Sequence, residues 1–360
     1  MARIGVVFGG RSVEHKVSVV SARTVAKSLV EAGHEVVPLG IAQDGCWLAE
    51  AEGARALRGE LDRLAPTSEP VAASLHHLLA AGADVLFPVT HGTWGEDGCL
   101  QGLAEMLDLP YVGCDVPSSA VTMDKGLCKG VLERAGLPVV PGKSFPRYRF
   151  EADREACLAE LDDLPLPLFV KPALGGSSVG IRKVRDRAAL GEAIDFALRF
   201  SDGVVVERGV AGRELECAVL GHDRPRASAV GEIVAGREFY DYEDKYLEDG
   251  AQLLAPARLP QGVEDRLRRL AVAAFRATGC SGLARVDFFL ERDETLFINE
   301  LNTLPGFTSI SMYPRLWELS GLPLPSLVSR LIDIAVRKHA QRRRLDQGIK
   351  DWLEILEKRG

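Results

Sequence analysis

Hydrophobic and polar positions fall into short blocks that read alternately as strands and helices. Ile4-Gly5-Val6-Val7-Phe8 is an apolar run broken by Gly9-Gly10, after which Val17, Val20 and Val25 recur at roughly helical spacing. Gly33 is a helix stop, and Val36-Val37-Pro38-Leu39 returns as a strand. A second such unit follows, with residues 85–89 as strand, the loop HGTWGEDG, and a helix from about 99 to 107. Parallel βαβ units place ligand loops at the carboxyl ends of their strands, and both polar loops, GGRSVEH and HGTWGEDG, fall there. Residues 115–122 read as a domain boundary, and residues 123–135 as a helix closed by Gly136-Leu137-Pro138.

The next stretch is strand-rich. Residues 168–171 and 181–184 predict two strands joined by the loop PALGGSSVG; a helix around 186–200 and the apolar strand Val204-Val205-Val206, ending at Glu207, come next. A third section starts near Gly212 with a strand over 214–220, followed by a long polar loop through 236–250 and a helix at about 264–278. Two strands, 284–290 and 295–302, are joined by a short charged turn. From about Leu327 the pattern is a basic amphipathic helix or two, with Arg342-Arg343-Arg344 as a solvated face.

Composition narrows the class. A chain of 360 residues is longer than one domain usually needs, so two or three domains around a shared cleft are expected. The net charge of −7 argues against a protein built to neutralise nucleic-acid phosphates or to coat an anionic membrane. No stretch reads as a signal-peptide core or a membrane span. Seven cysteines lie singly, without a Cys-x-x-Cys pair, which fits reduced thiols in a cytosol. The expectation is a soluble cytoplasmic α/β enzyme.

The candidate chemistry concentrates in two places. Residues two apart on a strand share a face, so Arg285, Asp287 and Phe289 line one face of the first C-terminal strand, and Ile298, Glu300 and Asn302 a face of the second. If these strands pair, Asp287, Glu300 and Asn302 converge as oxygen donors of the kind Mg²⁺ prefers; the alternative is a salt bridge between Arg285 and the carboxylates. In PALGGSSVG, glycines let backbone amides approach an anion and hydroxyls add donors, with Lys171 delivered beside it; the alternative is a flexible turn. The loop lacks the ending of a P-loop, and G-x-G-x-x-G is absent after the first strand. His15 and His91 sit in candidate substrate loops, where a lone histidine is more often structural. No nucleophile elbow is present.

Taken together, eight segments in order resemble the D-alanine–D-alanine ligases of the ATP-grasp superfamily. They are GGRSVEHKVS, HGTWGEDGCLQG, MDK, VKPALGGSSVG, GRELECAVLG, FYDYEDKY, ARVDFF and NELNTLPGFT, and they carry the likeness to about residue 335. The resemblance implies an α/β (α+β) architecture of three domains: an N-terminal parallel-sheet domain over 1–122, a central lobe over 123–208 and a C-terminal lobe over 209–360, the two lobes clamping ATP. It implies ligation of two D-alanines through a D-alanyl phosphate, for cell-wall synthesis, by a homodimer. Lys125, Lys171 and Lys245 would contact ATP phosphates, and Glu207, Val210 and Glu214 the adenine and ribose, with Ser178 and Phe289 also at the ATP site. Asp287, Glu300 and Asn302 would hold two Mg²⁺ (or Mn²⁺) ions, while Arg285 and the Gly306 amide would stabilise the acyl phosphate and the oxyanion. Glu14 and His91 would meet the first D-alanine, and Ser311 and Met312 the carboxylate of the second. Ser177, Glu14 and Tyr246 would form a hydrogen-bonded set closing the pocket; relatives that make D-alanyl-D-lactate lack this tyrosine. Rivals are a sister ligase for D-serine or D-lactate, and an inactive nucleotide-binding relative. Two departures stand out: Gly209, where relatives carry a larger residue, and the bulky Trp94, expected to change the wall of the second-substrate pocket.

Overall fold

The computed structural model describes residues 1–234 and 252–358. Among these, three sheets organise the chain. The first is parallel, in the order β2-β1-β3, from β1 (Arg3–Gly9), β2 (Glu35–Ile41) and β3 (Val85–Pro88). Ile4, Val6, Val7 and Phe8 are all fully buried, which is why β1 is a continuous apolar run rather than an alternating one. At its end Gly9 has φ +91°, and a Cβ there would meet Ile41 O at 2.2 Å, so the turn out of the sheet requires glycine. The helix His15–Glu31 is then tied to the strand ends by Ser18, whose hydroxyl accepts from Gly9 N and donates to Val89 O, both at 2.8 Å.

The second sheet is antiparallel, in the order β4-β7-β5-β6, from β4 (Gly142–Pro146), β5 (Leu168–Pro172), β6 (Arg182–Val184) and β7 (Gly203–Arg208). In β5, Leu168 and Val170 turn inward beneath the helix Leu190–Ala197, so Phe169 and Lys171 must project from the opposite face. The third sheet, β10-β9-β8-β11-β12, is also antiparallel, from β8 (Gly212–Gly221), β9 (Arg226–Val234), β10 (Gln252–Leu254), β11 (Gly282–Glu291) and β12 (Leu296–Asn302). Its back face, with Cys217, Val286, Phe288 and Ile298, packs on Leu267, Ala271, Ala274 and Phe275 of the helix Val263–Ala277. Each such fully buried large apolar side chain contributes roughly 1.5–3 kcal/mol.

The long helix Leu324–Glu357 shares a core with the N-terminal unit: Leu327, Leu331 and Ile334 lie in the same buried cluster as Val19, Val25 and Leu29. It is a single helix, and two of its three consecutive arginines are not merely solvated. Arg342 pairs with Glu105 at 2.5 Å and Arg343 with Asp108, joining the helix to the N-terminal unit.

Residues 115–122, read as a domain boundary, form the helix Val116–Met123, started by the Asp115 carboxylate accepting from Ser118 N and by a proline in the first turn. The next helix, Lys125–Arg134, begins two residues later than its pattern predicts, because Asp124 caps it by accepting from Gly126 N and Leu127 N at 2.9 Å. All seven cysteines are free thiols. No single described helix is long and apolar enough to cross a membrane.

Candidate active site

The cleft-facing sides of the second and third sheets enclose a cavity of about 460 Å³. Period-two alternation decides what lines it. β5 contributes Phe169 and Lys171, β7 contributes Glu207, β8 contributes Glu214 and Glu216, and β11 contributes Arg285, Asp287 and Phe289. Lys125, Ser178 and Val210 complete the set expected on the nucleotide side, apart from Lys245.

Glu207 is the buried anchor of that cavity. Its carboxylate lies 2.6 Å from Lys171 Nζ and 2.5 Å from Lys129 Nζ, and Lys171 also donates to Asn299 Oδ1 at 3.4 Å. Burial alone would raise the Glu207 carboxyl, but the two ammonium groups outweigh it and hold it down at about 2. Burial would likewise lower the Lys171 ammonium, yet Glu207 keeps it above the ordinary lysine value. Two fixed cations around one carboxylate leave net positive charge at the back of the cavity. Lys129 was not singled out in the sequence; it lies one helical turn after Lys125, and that spacing was the available signal.

The carboxylates gather on the neighbouring strands. Asp287 stands opposite Glu216 on one side and Glu300 on the other, and Arg285 stands opposite Asn302. Arg285 donates two 2.7 Å hydrogen bonds to Asp287 and lies 3.1 Å from Glu216. Burial opposes its charge, but Asp287 and Glu216 hold the guanidinium firmly protonated. The salt-bridge alternative is therefore real for Asp287, and it coexists with the convergence of donors. One expectation fails: Ile298 does not share the face of Glu300. The register shifts between Asp287 and Phe288, pairing Asp287 with Glu300 but Phe288 with Ile298, so a bulge at Asn299 turns Ile298 into the core. That bulge puts both Asn299 and Glu300 in the cleft lining. Asp287, Glu300 and the Asn302 amide are hard oxygen donors in the same cleft as Lys125 and Lys171, a donor set that fits Mg²⁺ or Mn²⁺.

A second cavity, of about 200 Å³, opens from the first. Lys125, Ser177, Arg285 and Glu300 line both, so these residues stand at the junction. The smaller chamber is further lined by Glu14, His91, Glu96, Asn302, Gly306, Ser311 and Met312. Ser177 Oγ donates to Glu14 Oε1 at 2.6 Å. His91 Nδ1 donates to the Leu304 carbonyl at 2.9 Å, which leaves its buried Nε2 without a hydrogen-bond partner among the described residues. Burial holds the His91 ring below its ordinary value, so Nε2 is an acceptor waiting for a donor. Glu96, also missed in the sequence, is pushed up to about 8 by burial and then by Glu14.

Other expectations resolve structurally. His15 is buried, with Nδ1 donating to Gly10 O at 2.7 Å and Nε2 accepting from Leu64 N at 2.9 Å, so it fixes the turn and faces no substrate. Trp94 lies exposed at the surface with Arg11 over its ring at 5.5 Å and lines neither chamber; its bulk does not wall the second-substrate pocket. Gly209 lines the larger cavity against Pro167, whose Cγ and O a Cβ would meet at 3.0 Å. Tyr246 and Lys245 lie outside the described residues, as does the whole polar loop at 236–250.

Two antiparallel sheets closing on a lysine-lined cavity, behind a parallel N-terminal sheet, make this an ATP-grasp fold. Within that class, the chain belongs to the D-alanine–D-alanine ligase family: the family models described as D-ala D-ala ligase N-terminus and C-terminus match residues 3–114 and 131–333. The D-alanine–D-alanine ligase A of Salmonella typhimurium is 46% identical over 355 residues, covering 94% of this chain and 96% of the relative. That of Chromobacterium violaceum is 47% identical over 354 residues, covering 93% and 95%. Among solved structures, the D-alanine–D-alanine ligase from Coxiella burnetii aligns with a TM-score of 0.81 at 35% identity, covering 97% of this chain and 99% of that one. The VanG D-Ala:D-Ser ligase from Enterococcus faecalis aligns with a TM-score of 0.80, also at 35% identity, covering 93% and 99%.

Proposed function

We propose that the chain joins two D-alanines into D-alanyl-D-alanine at the expense of ATP, for peptidoglycan synthesis in the cytoplasm. The observation that carries this reading is the junction: Arg285, Glu300, Lys125 and Ser177 line both chambers, so a nucleotide in the larger one can present its terminal phosphate to a small acid in the other.

In the larger chamber Lys125 and Lys171 hold phosphate oxygens, with Ser178 in the glycine-rich loop. Glu207, Val210, Glu214 and Phe289 hold the nucleoside. Asp287, Glu300 and Asn302 would hold divalent ions, which when bound would neutralise phosphate charge. In the smaller chamber Glu14 and the acceptor Nε2 of His91 take the ammonium of the first D-alanine, leaving its carboxylate toward Arg285. A carboxylate oxygen then attacks the terminal phosphorus, the bond to ADP breaks, and Arg285 offsets the charge on the new acyl phosphate.

The second D-alanine enters from Ser311 and Met312. These residues open the helix Met312–Leu319, whose N-terminus favours a carboxylate. Its amine attacks the acyl carbon, the Gly306 amide donates to the oxyanion, the bond to phosphate breaks, and the departing phosphate carries off the amine proton. No protein nucleophile is needed, because positioning and charge compensation carry the barrier. The partition at 1–122, 123–208 and 209–360 assigns one sheet to each unit, and free cysteines support a reducing compartment.

Phosphate release from ATP and Mg²⁺ tests the reading, with D-alanine run beside L-alanine, D-serine, and D-alanine plus D-lactate. Release with D-alanine alone and a dipeptide of matching mass is the expected result. Release only in a mixture moves the function to a sister ligase.

A further inference from the structure

Away from the cleft, on the N-terminal unit, three side chains with metal-ligating atoms meet at the surface. Glu69 precedes the helix Val71–Ala80, which carries His76 and His77. Side chains on a helix lean toward its N-terminus, so both imidazoles point back toward the residue that precedes it. His76 Nδ1 lies 3.5 Å from Glu69 Oε1, and His77 Nε2 lies 3.5 Å from Glu69 Oε2. One ligand atom from each side chain falls within 4.8 Å of the other two. The two rings stand 3.8 Å apart between centroids, tilted by 41°, and face the same carboxylate. An imidazolium bound to a carboxylate closes to about 2.7–2.9 Å, so these distances are long for an ion pair. They match instead the roughly 3.3 Å that separates two ligand atoms held at about 2.0–2.1 Å by a tetrahedral ion. The neighbouring backbone sets the positions. Glu69 O accepts from the buried Cys46 thiol at 3.0 Å, Thr67 Oγ1 accepts from Glu69 N at 3.2 Å, and Thr67 N donates to Asp44 at 2.9 Å. The helix start is fixed from the same stretch, because Ser74 Oγ accepts from Trp47 N at 3.0 Å. Residues 44–47 therefore hold both halves of the cluster in register, as a preorganised site requires.

We propose that Glu69, His76 and His77 bind one late first-row divalent ion of the Zn²⁺ class, with water in the fourth position. The donor set carries the choice of metal. Two imidazoles and one carboxylate suit Zn²⁺ and its neighbours, whereas Mg²⁺ prefers oxygen alone. The contrast lies within this chain, since Asp287, Glu300 and Asn302 offer only oxygen ligands. Binding through His76 Nδ1 takes the place of its 2.9 Å hydrogen bond to Ala73 O. Glu69 and His77 are half-buried and His76 is exposed, which gives the ion a path in from solvent and a partly shielded seat. Once seated, it clips the segment before the helix onto the helix itself. None of the three residues lines either chamber, so the site stands apart from the ligase chemistry and does not depend on that reading.

The test is calorimetric titration with Zn²⁺ of the full chain, stripped with EDTA and kept in excess Mg²⁺ to occupy the oxygen donors of the cleft. The expected result is one Zn²⁺ bound per chain through this site. Glu69→Gln, His76→Gln and His77→Gln should each weaken that binding by about ten-fold or more, because losing even an outer partner of a ligand costs that much. The three side chains lie at the surface, so the variants should fold, with turnover in the absence of Zn²⁺ equal to that of wild type. Two further readouts separate this site from binding at the exposed Cys99 or in the cleft. Co²⁺ in place of Zn²⁺ should give the visible absorption of a four-coordinate ion, and the His76→Gln, His77→Gln double variant should lose it. Hydrogen exchange should slow across residues 66–77 when Zn²⁺ is added. Absence of Zn²⁺ binding would overturn the proposal. So would binding that survives the loss of both histidines, or exchange slowed only in peptides of the cleft.

Discussion

Ser177 Oγ and Glu14 Oε1 meet at 2.6 Å although 163 positions separate them in the chain. The bond ties the glycine–serine loop of the second sheet to the first loop of the N-terminal unit. Ser177 and Ser178 both hold positive φ, 50° and 58°, a conformation that costs non-glycine residues energy and needs such an anchor. Ser177→Ala should therefore lower kcat/KM for D-alanine about thirty-fold, equivalent to about 2 kcal/mol for a hydrogen bond to a charged group. Steady-state kinetics at saturating ATP give the answer; an unchanged kcat/KM would remove Ser177 from the site.

Lys129 makes the second prediction. Lys129→Met leaves the buried Glu207 carboxylate with Lys171 alone, and breaking such a pair costs about 3 kcal/mol. Urea unfolding should show that loss, and KM for ATP should rise because Lys171 is drawn closer to Glu207. A stability loss with an unchanged KM for ATP would make the pair structural only.

Glu96 sets a pH dependence. Its carboxyl is raised from 4.5 to about 8, so the folded protein binds a proton that the unfolded chain releases. The stability this contributes is complete below pH 4.5 and is lost as pH rises through about 8. Glu96→Gln should flatten the fall in urea midpoint across that window in the ligand-free protein. A slope identical to wild type would show that Glu96 ionises normally.

Gly306 and Ser311 should act together. A Cβ at Gly306 would sit 2.8 Å from Ser311 Oγ, which itself accepts from Thr308 N at 2.9 Å. Gly306→Ala is expected to displace Ser311 and to cost about a hundred-fold in turnover. In a double-mutant cycle with Ser311→Ala, the penalties should fall short of adding. Strict additivity would separate the two residues.

Much of the site was legible because period-two spacing needs no tertiary information. Asp287, Glu300 and Asn302 could be aimed at a cleft from the alternation of their strands alone, and Lys171 from its place at the end of an apolar strand. The bulge at Asn299 could not, since one extra residue in a ladder leaves no mark on an apolar pattern, and it reversed Ile298. Lys129 and Glu96 escaped for a related reason: each acts through burial and a distant partner, Glu207 or Glu14. The helix Val116–Met123 went unread because Asp115 and Pro117 are residues that open a loop as readily as a helix. Strand β9 was missed because RASAVGEIV mixes small and polar residues, and its place depends on β8 beside it.

The central claim is that a D-alanine carboxylate takes the terminal phosphoryl group where the two chambers meet. D-alanine labelled with ¹⁸O in its carboxylate tests this most directly, with mass spectrometry of the phosphate released with ATP and Mg²⁺. The account predicts one labelled oxygen carried from the carboxylate into inorganic phosphate, together with D-alanyl-D-alanine and ADP. Unlabelled phosphate, or AMP and pyrophosphate in place of ADP, would contradict it.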